Sequence, residues 1–116
     1  MSDKITTMTE PISTLTTHPH KTATLVSYQE GSVVSREIVR TPKTTITAFA
    51  FAKGQGLSEH TTPFTAFVQI LEGEATISVN GKAHLVKEGE ALIMPANSPH
   101  ALKATQQFKM LLTMIK

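Results

Sequence analysis

Short runs of alternating or β-branched apolar residues, separated by turn residues, recur along this chain, and no stretch holds a helical period for long. That pattern predicts an all-β domain of antiparallel strands. The expected strands are Ala23 to Tyr28, Ser32 to Arg40, Thr44 to Ala52, Ala66 to Leu71, Ala75 to Val79, Lys82 to Val86, Ala91 to Met94, His100 to Ala104 and Phe108 to Ile115. Breaks fall at Glu30-Gly31, Thr41-Pro42, Gly54 to Gly56, Glu72-Gly73, Asn80-Gly81, Glu88-Gly89 and Asn97 to Pro99. Asn80-Gly81 is the clearest local signal, because a two-residue hairpin turn needs positive backbone angles at both central positions. It sets Val79 opposite Lys82 and Ile77 opposite His84, which places His84 on one sheet face with Ile77, Val79 and Val86. Whether that face looks into the barrel is not decided by the pair.

The last strand adds a second kind of information. Phe108, Met110, Leu112 and Met114 lie on one face and Leu111 and Ile115 on the other, and a strand apolar on both faces is usually covered on both. Phe49 and Phe51, alternating with Ile46, Ala48 and Ala50, have the same two-sided character. In a chain this small the second cover is expected to be another subunit, so a homodimer is predicted.

Composition narrows the class. The 116 residues suit one domain with a single core. A net charge of +2 without a basic stripe indicates neither a nucleic-acid groove nor a membrane anchor. With no cysteine, disulfides, thiolate nucleophiles and sulfur-rich zinc sites are all excluded, so any metal would rest on nitrogen and oxygen. Residues 1–20, rich in threonine, read as a flexible or edge-pairing N-terminal arm ahead of a barrel domain over 21–116. Neither a signal-peptide segment nor a membrane span is evident, and the expected setting is cytoplasmic. His18-Pro19-His20 in the arm reads as solvated tail in preference to a metal-binding pair, since a flexible terminus loses entropy for each ligand it orders.

Two segments carry the candidate chemistry. In the first, Gly54 precedes His60, Thr62 and Ala66 follow, and Gly73 closes a hydrophobic run; in the second, Gly89 is followed by Pro95, Asn97, His100 and Ala104. This layout resembles the two consensus motifs of the small cupins. Gly54, His60 and Gly73 stand on the first motif's frame, but Thr62 occupies the place of its second histidine and Ala66 that of its glutamate. Gly89, Pro95 and His100 stand on the second, with Asn97 and Ala104 replacing a glycine and an asparagine. The resemblance covers about Gly54 to Ala104 and implies a double-stranded β-helix, the jelly-roll cupin barrel.

In cupins that bind metal, three histidines and a glutamate hold the ion, and of these the resemblance carries over only His60 and His100. The candidate ligand-binding residues are therefore His60, Thr62, Met94 and His100, gathered at the mouth of an apolar cavity. A catalytic zinc site uses three protein ligands plus water, and a non-haem iron site needs a carboxylate beside two histidines. Neither set is complete, so no cofactor is assigned. The leading expectation is small-molecule binding with weak or no metal. The alternative is a metal-dependent enzyme of oxygenase or isomerase type that uses His60, His100 and a ligand from outside the motifs, with His84 as one candidate. Tyr28, the only tyrosine, lies outside both motifs, which argues against the histidine–tyrosine chemistry of the cupin sugar epimerases.

Overall fold

The protein is described here by a computed structural model covering residues 5–8 and 18–116. Ten strands are present among them: β1 (Ile5–Thr7), β2 (Val33–Arg40), β3 (Thr44–Phe51), β4 (Gly56–His60), β5 (Thr65–Glu72), β6 (Glu74–Val79), β7 (Lys82–Lys87), β8 (Ala91–Met94), β9 (His100–Lys103) and β10 (Phe108–Ile115). They form a six-stranded sheet in the order β1-β2-β3-β10-β5-β8 and a four-stranded sheet in the order β4-β9-β6-β7. The non-consecutive neighbours and the two facing sheets are those of a jelly roll.

The core lies where the inner faces meet. Alternation on β5 turns Ala66, Val68 and Ile70 inward, and β10 sends Phe108 and Met110 to the same side. Ala75 and Ile77 of β6, Val86 of β7 and Leu102 of β9 face them from the smaller sheet. Phe51 and Phe108, directly opposed in the β3–β10 ladder, stack with ring centroids 4.4 Å apart. Each buried phenyl contributes roughly 2–3 kcal/mol of hydrophobic stabilisation, so this pair is a main tie within the core.

The Asn80-Gly81 hairpin forms as expected, with φ of 53° and 78°, Val79 opposite Lys82 and Ile77 opposite His84. Because Ile77 and Val86 are buried, the face that His84 shares with them is the inner one. Gly73 turns β5 into β6 at φ 76°, and a Cβ there would stand 2.5 Å from the Gln107 carbonyl oxygen. Only glycine fits both demands.

Two expected features need correction. Ala23 to Tyr28 is not a strand: Thr22–Thr24 is a 3-10 turn, and the rest runs irregularly across the outer face of the large sheet. Side chains satisfy its carbonyls in place of a ladder, since Arg36 Nη1 donates to Leu25 O and Lys109 Nζ to Ala23 O. Conversely, Gly56–His60, of which only Gly56 falls in an expected break and which no expected strand covers, is a strand, β4. Within the N-terminal arm, Ile5–Thr7 pairs in parallel with Val33–Ser35 at the sheet edge, while residues 1–4 and 9–17 of that arm lie outside the described residues.

The irregular segment also bears on the two-sided strands. Val26, with Leu25, Tyr28 and Met8, packs on Val34, Ala48, Ala50 and Leu111, so the chain itself covers that part of the outer face. Further along the same face Val39, Ile93 and Ile115 stay exposed.

Candidate functional site

Strands β4 and β9 lie side by side, and their register brings His60 directly opposite His100. The two imidazoles meet edge to face, with centroids 4.3 Å apart and planes at 66°. His100 is buried, at 5% exposure, while His60 is open to solvent. The neighbour of His100 on its other side is Val79 of β6.

A bulge on β4 is what puts His60 there. Leu57 pairs with Leu102 and His60 with His100, so Ser58 and Glu59 together oppose the single residue Ala101. In an unbroken strand, a residue three beyond the inward Leu57 would point outward. The extra residue restores His60 to the inner side, as bulges beside functional sites often do. Glu59 is exposed on the bulge.

The second histidine is set by a turn. Asn97 adopts φ 64°, a left-handed conformation that asparagine tolerates better than most residues, which accounts for its standing in a glycine position. Its N–H donates to Thr62 O at 2.7 Å, and Ser98 N–H donates to Pro95 O at 3.3 Å. These bonds tie the loop after β4 to the turn before β9.

Both rings are tethered alike. His60 Nδ1 lies 2.7 Å from Ser58 O, and His100 Nδ1 lies 3.0 Å from Ser98 O. A carbonyl only accepts, so each Nδ1 carries the proton, and in the neutral ring each Nε2 is left as an acceptor.

The other expected residues, Thr62, Met94 and His84, have these places. The Thr62 hydroxyl donates to Phe64 O at 3.1 Å and accepts from Phe64 N–H at 3.3 Å, so it is used within its own turn around Pro63. Met94 is buried at 2% exposure opposite Ala66, in the core between the sheets. His84 lies in the next inner row, opposite Ile77, whose other neighbour is Leu102. Sequence reading missed the bulge and the two carbonyl tethers. Their only trace is the failure of alternation between Leu57 and His60.

Two cavities border the strands that carry the site and the outer face of the larger sheet. A cavity of about 330 Å³ runs along the same two strands, lined by Gly54 to Ser58, Leu102 and Lys103. Another of about 320 Å³ lies between Thr22, Gln69 to Leu71, Glu88 to Ala91 and Leu111. Neither is lined by His60 or His100, and large side chains such as Phe51, Phe108, Ile77 and Met110 fill the space between the sheets.

Jelly-roll topology, with one histidine from each of two glycine-marked segments at the mouth, defines a cupin-type barrel. Comparison with known proteins agrees. Residues 48–116 match the family model described as the cupin domain, and the chain belongs to that family. A conserved protein of unknown function from Streptococcus pyogenes is 35% identical, with 86% of this chain and 88% of that one covered and a TM-score of 0.82. A cupin 2 conserved barrel domain protein from Leptotrichia buccalis is 44% identical over 81% of this chain, with a TM-score of 0.79. The match covers 46% of that protein, so this chain spans about half its length. A cupin superfamily protein from Desulfitobacterium hafniense is 28% identical over 85% of this chain and 91% of that one, with a TM-score of 0.82. Among curated proteins, none matches.

Many cupins hold a metal, and the donor set here does not fit one well. Among the described residues no group of three or more His, Cys, Asp or Glu is placed to hold an ion. Thr62 spends its hydroxyl on Phe64, Ala66 offers no donor atom, and the usual catalytic sets need a third protein ligand. No helix among the described residues is long and apolar enough to cross a membrane.

Proposed function

We propose that this cupin binds a small molecule at the barrel mouth, against His60 and His100, with weak or no metal. The observation that carries this reading is the imidazole pair itself, 4.3 Å between centroids, with both Nδ1 atoms occupied by backbone carbonyls and no third ligating group beside them among the described residues. Such a pair can orient a small ligand without an ion, since binding sites combine apolar walls with a few placed polar groups. Leu57 and Leu102 supply the nearest apolar wall, Thr62 shapes the rim through its backbone bond to Asn97, and Met94 backs the core beneath.

The rival is a metal-dependent oxygenase or isomerase in which the two bare Nε2 atoms bind an ion whose other positions are filled from outside the motifs. Metal analysis of protein purified without a histidine tag separates the two. Substoichiometric metal together with thermal stabilisation by small organic ligands, lost in the His60→Ala/His100→Ala double variant, is expected. Stoichiometric iron, manganese, nickel or zinc that disappears in the same variant overturns it.

The exposed Val39, Ile93 and Ile115 on one outer face favour a second copy of the chain as its cover. Light scattering is expected to give a dimer mass at micromolar concentration. A monomer there removes the proposal.

A further inference from the structure

The chain crosses between the two sheets at the end where the histidines sit. His60 closes β4 and the chain then passes to Ala66 on β5, while Met94 closes β8 and the chain passes back to His100. The inner row of the larger sheet at that end pairs Arg40 with Thr45, Thr45 with Met114, Met114 with Ala66 and Ala66 with Met94. Its counterpart on the smaller sheet is His60, His100 and Val79, closed on β7 by the exposed Lys82. Packing sets how the two rows are aligned. β6 lies against β10 and β7 against β5, so following both strand orders in the same direction brings β9 over β3 and β4 over β2. His100 then faces Thr45 and His60 faces Arg40, across the roughly 10 Å between packed sheets. Val79 faces Met114, with Ala66 and Met94 beyond it. The mouth is therefore divided into a polar half and an apolar half.

The polar half carries more positive than negative charge. Arg40 is exposed, and its Nε and Nη2 donate to the two Glu37 carboxylate oxygens at 2.8 and 2.7 Å, which leaves the Nη1 edge of the fork for another acceptor. Lys116 stands at the same rim, its Nζ 5.7 Å from the centre of the Phe64 ring. The bond from Arg40, and to a lesser degree the charge of Lys116, hold the Glu37 carboxyl below its ordinary range. Two fixed cations thus stand around one carboxylate before either imidazole takes a proton. Thr45 is buried in the same row and adds a hydroxyl that can donate. A guanidinium edge beside a hydroxyl suits a carboxylate, for which forked, charge-assisted bonds are the strong ones. From this we infer that the mouth takes small amphipathic carboxylic acids, with the carboxylate held by Arg40 and Thr45 and the apolar body lying on Val79 and Met114 beside the histidine pair. The inference rests on the ligand-binding reading above and adds the chemical class.

The test uses the intact chain, ¹⁵N-labelled at histidine, in metal-free buffer of low ionic strength, because salt screens exposed charges. Benzoate and benzyl alcohol, matched in size and differing in charge, are titrated while the His60 and His100 ring signals are followed. Benzoate is expected to bind at least about five-fold tighter than the alcohol. Arg40→Gln should bring benzoate down to the level of the alcohol. Glu37→Gln, which removes the competing carboxylate and leaves the guanidinium in place, should tighten benzoate by about two- to three-fold. Benzoate no tighter than the alcohol, or unaffected by Arg40→Gln, overturns the acid preference alone. If neither probe shifts either ring at about 10 mM, the ligand-binding reading falls and the acid preference with it.

Discussion

His60 and His100 hold their rings by the same bond, Nδ1–H to the carbonyl two residues back, yet the backbone reaches that arrangement by two different devices. At His60 it is a bulge on an edge strand, where Ser58 and Glu59 oppose Ala101 and the ring stays open to solvent. At His100 it is a left-handed Asn97 in a turn feeding an inner strand, with the ring 5% exposed between His60 and Val79. One tether is built into the core and the other hangs on the rim. Chemistry that depends on both rings therefore rests on parts of unequal stability.

Removing the inner ring should have the largest effect. His100→Ala leaves a cavity and an unsatisfied Ser98 carbonyl, and is expected to cost about 2–3 kcal/mol in denaturant unfolding. A loss no greater than that of His60→Ala would erase the asymmetry.

Most of the fold could be read from the sequence because its signals are local. Asn80-Gly81 fixes its hairpin by two positive backbone angles, and the alternation of Phe108 to Met114 marks β10 end to end. β4 escaped because Leu57 is the only large apolar side chain between Gly56 and His60 and the bulge interrupts the period. Ala23 to Tyr28 looks like a strand for the opposite reason: its apolar residues are real, but they cover a sheet instead of joining one, and the carbonyls are satisfied by Arg36 and Lys109 from distant parts of the chain. At the site, the spacing located both histidines. The direction of the Thr62 hydroxyl depends on a turn around Pro63, and the tether of each ring depends on backbone geometry that residue types do not encode.

A smaller effect should follow from the turn. Asn97→Val places a β-branched residue at φ 64°, a cost of about 1–2 kcal/mol, and loosens the Ser98 carbonyl from His100. Asn97→Gly keeps the left-handed angle and should stay within about 0.5 kcal/mol of the parent. Unfolding midpoints of the two variants decide this, and equal losses would mean the left-handed angle is not what matters.

The segment over the large sheet provides a control remote from both tethers. Tyr28 donates to Glu72 at 2.6 Å, with Lys109 Nζ 4.9 Å from the ring centre. Burial first, then the hydrogen bond and the charge of Glu72, hold the Tyr28 phenol well above its ordinary pKa of 10.0. A raised pKa means stability that is fully present below about 10 and lost as pH climbs above it. Tyr28→Phe should cost about 1 kcal/mol at neutral pH and flatten that alkaline decline, with the histidine resonances unmoved. Movement of the His60 or His100 signals would show that the tethers are coupled to the outer face.

The rim histidine should give the smallest stability change and the clearest separation of roles. His60 is exposed, its ring contacts His100 on one side only, and the carbonyl it releases on Ser58 lies in an exposed bulge where water can replace the bond. Substitution at such a site usually moves stability by no more than about 0.5 kcal/mol, so the His60→Ala unfolding curve should nearly overlay the parent's. Ligand stabilisation should vanish nonetheless, because a ligand held against both rings loses one of them. A variant that folds like the parent and no longer binds would assign His60 to recognition. If it binds as before, the buried His100 suffices, and the bulge that turns His60 inward has some other purpose.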